Sequence, residues 1–179
     1  MNPENRELYE NAWLRAISVD TAIDLELAKR RGNDMLKDHA SEFPEEFIKW
    51  QKIALDSNML DYRAFHEIRT TILDAHADIF DKYDAIIAPV SGCVGTPNGI
   101  YELTKGPESI SGAKVNPLIG FGYTYLENMT GYPAASVPYA FAESEFSDLP
   151  IGIQVIAQRY RDPVVFAVSG ELERIAEGV

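Results

Sequence analysis

Nucleophilic chemistry in this 179-residue chain would have to start from Cys93 or from a few serines. Cys93 is the single cysteine and sits in Ser91-Gly92-Cys93-Val94-Gly95, just after a short apolar run. That placement faintly resembles a nucleophile elbow. An elbow, however, passes directly into a helix after the nucleophile, and here Gly95-Thr96-Pro97-Asn98-Gly99 follows, in which glycine and proline oppose helix. A cysteine packed in a loop or lining a pocket is the plainer reading, because free cysteine is often buried. The serine candidates are Ser91-Gly92 and Ser109-Ile110-Ser111-Gly112. His39, His66 and His76 are the only histidines. His66 and His76 stand ten positions apart on one predicted helix, hence on different faces, and cannot pinch a metal as an i, i+4 pair would. Asp74-Ala75-His76-Ala77-Asp78 carries ligand-type residues, but reads as a solvated helix face. No metal site is expected.

The elements that would position these residues follow from periodicity. From about Glu4 to Arg31, the residues Tyr9, Trp13, Ala16, Ile17, Val19, Ile23 and Leu27 recur at helical spacing. Gly32 and Asn33 are stop residues, and Lys29, Arg30 and Arg31 suit the negative end of the helix dipole. A second helix should begin near Pro44 and run through Phe47, Trp50 and Ile53. A third should start at Asp61 as N-cap, with Phe65, Ile68, Ile72, Ala75, Ile79 and Phe80 as its stripe. Then the period changes. Asp84-Ala85-Ile86-Ile87-Ala88-Pro89 reads as a buried strand closed by proline. From Val90 to Pro117 the chain is rich in Gly, Pro, Ser and Asn and reads as one long loop. Leu118 to Met129 returns to helix, with aromatic Phe121, Tyr123 and Tyr125, and Gly131 is placed to stop it. Ala134–Val137 and Ile151–Ile156 read as strands, the second apolar on nearly both faces, as in a sheet covered by helices. Pro133 and Pro138 should bracket the first, since proline cannot donate to a ladder. Asp162-Pro163 opens a last helix with Val165, Val168, Leu172 and Ile175 inward.

Three of these stretches, in order, resemble the amidase signature family. They are Phe80-Asp81-Lys82-Tyr83-Asp84-Ala85-Ile86-Ile87-Ala88-Pro89, preceded by a helix carrying Arg69; Asn128-Met129-Thr130-Gly131-Tyr132-Pro133-Ala134-Ala135-Ser136-Val137-Pro138; and Leu149-Pro150-Ile151-Gly152-Ile153-Gln154-Val155-Ile156. The similarity runs from about Asp61 to Glu173 and is to the C-terminal part of the family. It implies an α/β fold with helices packed on a mixed sheet. It also implies a parent enzyme that cleaves an amide C–N bond through a seryl acyl-enzyme, with no metal or organic cofactor. The family's Ser–cis-Ser–Lys triad lies in a Gly/Ser-rich stretch with an upstream Lys. No such stretch occurs here, so no catalytic residue is carried over, and the chain alone is expected to be inactive. Ser136 lies inside a matched motif, where its place in a strand suggests packing and register.

The resemblance places the segment after the first strand near the substrate pocket. The expected wall is Val90, Ser91, Gly92 and Cys93, with Tyr123 and Tyr125 as further candidates against a plain core role. The domain reading is a helical segment over 1–60 and an α/β region over 61–179, forming one continuous lobe. The expected partners are a small-molecule amide and either an N-terminal amidase half or a second copy, since a sheet without its covering exposes edges and apolar faces.

Bulk properties set the outer limits. An apolar fraction of 46% is ordinary for a globular chain, so disorder is not expected. The net charge of −12 argues against nucleic acid and anionic membrane as partners. No apolar run is long enough to span a bilayer. One cysteine suits a reducing compartment, and the polar, acidic N-terminus is no secretory signal, so the expected location is cytoplasmic. Two other function classes stay open: a non-catalytic binding or scaffold module, and a small cysteine hydrolase using Cys93 with His66 or His76.

Overall fold

A computed structural model describes residues 5–94, 109–114, 122–141 and 149–177. They fall into two units, one within residues 5–70 and the other within residues 71–94, 109–114, 122–141 and 149–177. The division falls at Thr70/Thr71, within a helix.

The first unit is helical. Its elements are α1 (Arg6–Arg30), a single turn α2 (Met35–Asp38), a 3₁₀ turn (Ala40–Glu42), α3 (Glu45–Asp56) and the first half of α4 (Met59–Phe80). The stop expected at Gly32 is present. Gly32 has φ of +93°, and donates to the Lys29 carbonyl while Asn33 donates to that of Ala28. That is the Schellman pattern, in which glycine avoids the steric penalty of a left-handed residue. Tyr9, Ala12, Trp13 and Ala16 of α1 are buried. The start of α4 differs from the sequence reading. Asn58, not Asp61, is the N-cap: its Oδ1 accepts from Leu60 N at 2.8 Å and from Asp61 N at 3.2 Å. Asp61 sits in the first turn and its Oδ2 accepts from Asn58 N at 3.0 Å. Three backbone donors are thus satisfied, those of Asn58 and Asp61 reciprocally as in a capping box. The short apolar residues between Gly32 and Pro44 gave no period long enough to reveal α2.

The second unit is a sheet with helices. It holds the rest of α4, then β1 (Ala85–Pro89), β2 (Ser109–Ile110), β3 (Ala113–Lys114), α5 (Tyr125–Thr130), β4 (Ala134–Phe141), β5 (Pro150–Ala157) and α6 (Asp162–Glu177). The α/β class is as expected. In pairing, the sheet expected to be mixed is antiparallel throughout its described strands, in the order β1-β5-β4. For β4 and β5 the reason is connection length: Phe141 pairs with Pro150, and so short a link cannot make the crossover that a parallel pair needs. Pro138 does not end β4. It pairs with Gly152, Ala140 pairs with Ile151, and Tyr139 is left over as a bulge, which is where a strand tolerates proline. The loop expected over 90–117 contains a two-residue hairpin, β2–β3. Its turn residues Ser111 and Gly112 have φ of +51° and +79°. Both positive values match the primed turn that suits strand twist.

Alternation sorts the sheet residues by face. Val137, Val155 and Ala157 pack with Val165 of α6, joined by Ala85, Ala135, Val168 and Leu172. Val155 and Ala157 are completely buried. The other face carries Ser136, Gln154 and Gly152, and there the candidate site lies.

Candidate functional site

β1 ends against the first half of β5. Pro89 pairs with Ile153, and Val90 N then donates to the Gly152 carbonyl at 3.3 Å. The chain after β1 is therefore carried onto the face that holds Gly152 and Ser136. An open hollow of about 590 Å³ results. Its described lining comes from two sources: Val90, Ser91, Gly92, Cys93 and Val94 after β1, and Ser136, Pro138, Pro150, Ile151 and Gly152 of β4 and β5.

Two glycines set its shape. A Cβ on Gly152 would lie 3.1 Å from Val90 Cγ2 and 3.3 Å from Ser136 Oγ, so glycine lets those side chains meet. A Cβ on Gly92 would lie 2.9 Å from Ile110 Cδ1, so the hairpin residue Ile110 rests directly against the backbone of the wall. Gln154 braces the arrangement from beneath. Its side chain is buried, and its Nε2 donates to the carbonyls of Pro89, at 3.3 Å, and of Tyr123. One amide thus ties the end of β1 to the segment before α5, satisfying two carbonyls away from water.

Within the wall, Ser91 Oγ accepts from Cys93 N at 3.3 Å and lies 3.6 Å from Cys93 Sγ. This is a local turn held by a serine hydroxyl. Val90, Ser91, Gly92 and Cys93 are all partly exposed and all line the hollow. Tyr123 is 38% exposed and its ring lies 3.8 Å from the Cβ position of Gly92, behind the lining residues. Tyr125 is 2% exposed and packs inside the unit. Phe121 lies outside the described residues. Ser136, expected from the sequence to be a packing residue, is exposed and faces the hollow. The period of two would have shown this, since its neighbour Val137 points into the core. Ser109 and Ser111, weighed as serine candidates, belong to the hairpin and its turn.

The histidines are engaged elsewhere. His76 is buried; its Nδ1–H donates to the Ile72 carbonyl at 2.8 Å and its Nε2 faces Glu127 Oε1 at 3.5 Å. Burial pushes its pKa down, but the Glu127 carboxylate and the Ile72 carbonyl outweigh burial and hold it above the usual 6.5. Its ring stacks on Tyr132 at 5.1 Å, and Arg159 lies over the same tyrosine at 5.8 Å. Arg159 also donates to the Thr130 carbonyl through Nε, at 3.0 Å, and Nη2. These contacts fix Gly131, φ +73°, as the end of α5 and the entry to β4. The solvated face read from Asp74 to Asp78 is in fact buried at its centre, because His76 turns toward α5. His66, in the helical unit, contacts the rings of Tyr62 and Phe65.

The sequence pattern of the amidase family matches residues 3–166, nearly the whole chain. The chain belongs to the amidase family. It is 32% identical over 124 residues to a glutamyl-tRNA(Gln) amidotransferase subunit of Deinococcus radiodurans, spanning 68% of this chain and 24% of that protein. Its structure superposes on a bacterial aryl acylamidase of the amidase signature family with a TM-score of 0.81 at 32% identity, over 95% of this chain and 34% of that one. A second crystal structure, described simply as an amidase, superposes with a TM-score of 0.76 at 24% identity and shares the fold. This amidase chain therefore spans about a quarter of the length of the curated relatives it matches. Among its described residues no helix is long and apolar enough to cross a membrane.

Proposed function

We propose that this chain forms the C-terminal part of an amide-cleaving enzyme, supplying a wall of its substrate pocket and none of its reacting groups. The hollow carries the reading. Its lining comes from the segment that follows the matched stretch ending at Pro89 and from β4 and the start of β5, which lie in the other two matched stretches, and no charged group or histidine stands among the described lining residues. The reaction of the whole enzyme is hydrolysis of an amide through a seryl acyl-enzyme, with the serine supplied by further polypeptide. Support for that polypeptide is the 24% to 34% of relatives' length that the chain spans. Ile87, Phe141 and Ile151, all strand residues and 55%, 67% and 41% exposed, give it apolar surface to cover. Self-association in sedimentation velocity would assign that surface to a second copy instead. The single free cysteine suits a cytoplasmic location.

The cysteine-hydrolase reading has no geometric support in this unit. A general base must reach the nucleophile within hydrogen-bond distance, and His76 is committed to Ile72 and Glu127.

Fluorophosphonate labelling of the purified chain, read by intact mass, tests the proposal. The expected outcome is no adduct and no turnover of a simple anilide. A stoichiometric serine adduct would overturn it.

A further inference from the structure

α5 is held at three points, each by a different chemistry. At its C-terminal end Arg159 Nε donates to the Thr130 carbonyl at 3.0 Å, and Gly131 follows in the left-handed conformation. Just before its N-terminal end, Gln154 Nε2 donates to the Tyr123 carbonyl, and the same amide donates to the Pro89 carbonyl at 3.3 Å. On the side of α4, Glu127 Oε1 lies 3.5 Å from His76 Nε2. Tyr125, Leu126, Glu127, Met129 and Thr130 are all buried, so this six-residue helix cannot shift at one end alone.

The third point needs a proton. Nδ1 of His76 carries a hydrogen, because its partner at 2.8 Å, the Ile72 carbonyl, can only accept. In a neutral ring Nε2 is then a bare acceptor, and it would face a carboxylate oxygen. The contact is attractive only while a proton is held between Nε2 and Oε1. Among the described residues no other group replaces that proton. Glu127 Oε2 is buried without a hydrogen-bond partner. Arg159 is committed to the Thr130 carbonyl and lies 5.8 Å over the Tyr132 ring. Tyr132 stacks on His76, and burial pushes its phenol above the ordinary value, against Arg159 and with a contribution from Asp74 of α4, so it stays neutral while His76 titrates. Loss of the proton leaves a carboxylate buried opposite an acceptor, which is strongly unfavourable.

We infer that the His76–Glu127 pair is a proton-dependent clamp on α5 that sets the shape of the hollow's wall. With its proton the pair holds α5 against α4. Without it α5 is released, and the Tyr123 carbonyl, Gln154, the Pro89 carbonyl and the wall that begins at Val90 move with it. His76 and Glu127 are thus positioning residues that act through Gln154. The clamp concerns the shape of the hollow and does not depend on what the hollow seats. Burial alone would push the His76 pKa down; Glu127 and the Ile72 carbonyl overcome it, so the release falls above pH 6.5.

The test is a pH titration of the full 179-residue chain by heteronuclear NMR, with Cys93→Ser throughout to remove a second titrating group from the wall. The His76 ring should titrate with a midpoint above 6.5. The amide resonances of Glu127, Tyr123, Val90 and Gly92 should move reversibly with that same midpoint. In Glu127→Gln the side-chain amide donates to the neutral Nε2 and no proton is needed. The His76 midpoint should then fall, and the response of Val90 and Gly92 should vanish with it. Gln154→Met should leave the His76 midpoint in place and uncouple Val90 and Gly92 from it, which tests the path even where Glu127→Gln fails to fold. A wall that stays still while Glu127 titrates in the parent chain would overturn the coupling. So would Val90 and Gly92 titrating unchanged in either variant. A His76 ring that does not titrate above 6.5 would overturn the clamp itself.

Discussion

Helix ends in residues 5–70 are held chiefly by neighbours in sequence. Asn58 caps residues two and three positions on, and Gly32 and Asn33 bond back into the last turn of α1. In residues 71–177 the decisive bonds reach much further. Arg159 meets Thr130 across 29 positions, and Gln154 meets Tyr123 across 31 and Pro89 across 65. The contrast extends to side chains. Leu55, Met59 and Leu60 of the helical unit are about four-fifths exposed, at 82%, 79% and 80%. Val155 and Ala157 of the sheet unit are fully buried. A region held by local bonds can lose one and fray. A region held by long-range bonds and a common core loses its order together.

The severest test of that contrast is Val155→Asp. An unpaired carboxylate would enter the core between β5 and α6, at a cost of more than about 4 kcal/mol. Hydrogen exchange should show protection lost in β1, β4, β5 and α6 at once. Protection surviving in β4 and α6 would show that the sheet unit is less cooperative than its packing suggests.

A smaller effect is expected at His76. Removing it by His76→Gln leaves Glu127 buried with neither oxygen well paired; Glu127 Oε2 already lacks a hydrogen-bond partner. The cost should be about 3 kcal/mol, the low end for breaking a buried pair, because the contact is 3.5 Å long. The pH dependence has a definite sign. The folded pKa of His76 is raised above 6.5, so the folded state binds the proton more tightly than the unfolded state. Its contribution is fully present below 6.5 and is lost as pH rises through the raised value. The melting midpoint should therefore fall as pH climbs from about 6 toward about 8. His39, raised by its exposed contact with Glu42, titrates with the same sign, so the wild-type slope minus the His76→Gln slope isolates His76. Equal slopes would show that His76 is neutral in the folded chain.

What the sequence made legible follows the same division. The stop at Gly32, the strands near 85–88, 134–137 and 151–156, and the left-handed Gly131 are each announced by adjacent residues, and each is present. The hairpin at 109–114 was hidden because strands of two residues have no period to detect. The extension of β4 through Pro138 was hidden because the bulge at Tyr139 depends on its partner strand. Near the hollow, Val90 to Cys93 were singled out through the family resemblance, whereas Ser136 and Gly152, which line the same hollow, were not. Their part depends on β4 and β5 lying side by side, which no local signal states. The burial of His76 has no local signal for the same reason: its partner Glu127 lies on another helix.

Asn58 offers the gentlest test, because its signal was local and still misassigned. The spacing Asn58-Met59-Leu60-Asp61 fits a capping box, yet Asp61 alone drew attention as the cap. In the structure Asp61 has two tasks: it accepts from Asn58 N and pairs with Arg15 Nη1 at 2.9 Å. Arg15 also donates to Ser57 Oγ at 3.3 Å, tying α1 to the corner between α3 and α4. Asn58→Ala removes the acceptor for Leu60 and Asp61 and should cost about 1 kcal/mol. Added salt should leave that loss unchanged, because the cap is a neutral bond. Arg15→Gln should cost less, within about 1 kcal/mol for so exposed a pair, and its effect should shrink in added salt. If instead the loss on Asn58→Ala shrank with salt, the corner would be held by the Arg15–Asp61 charge pair and the cap would be secondary.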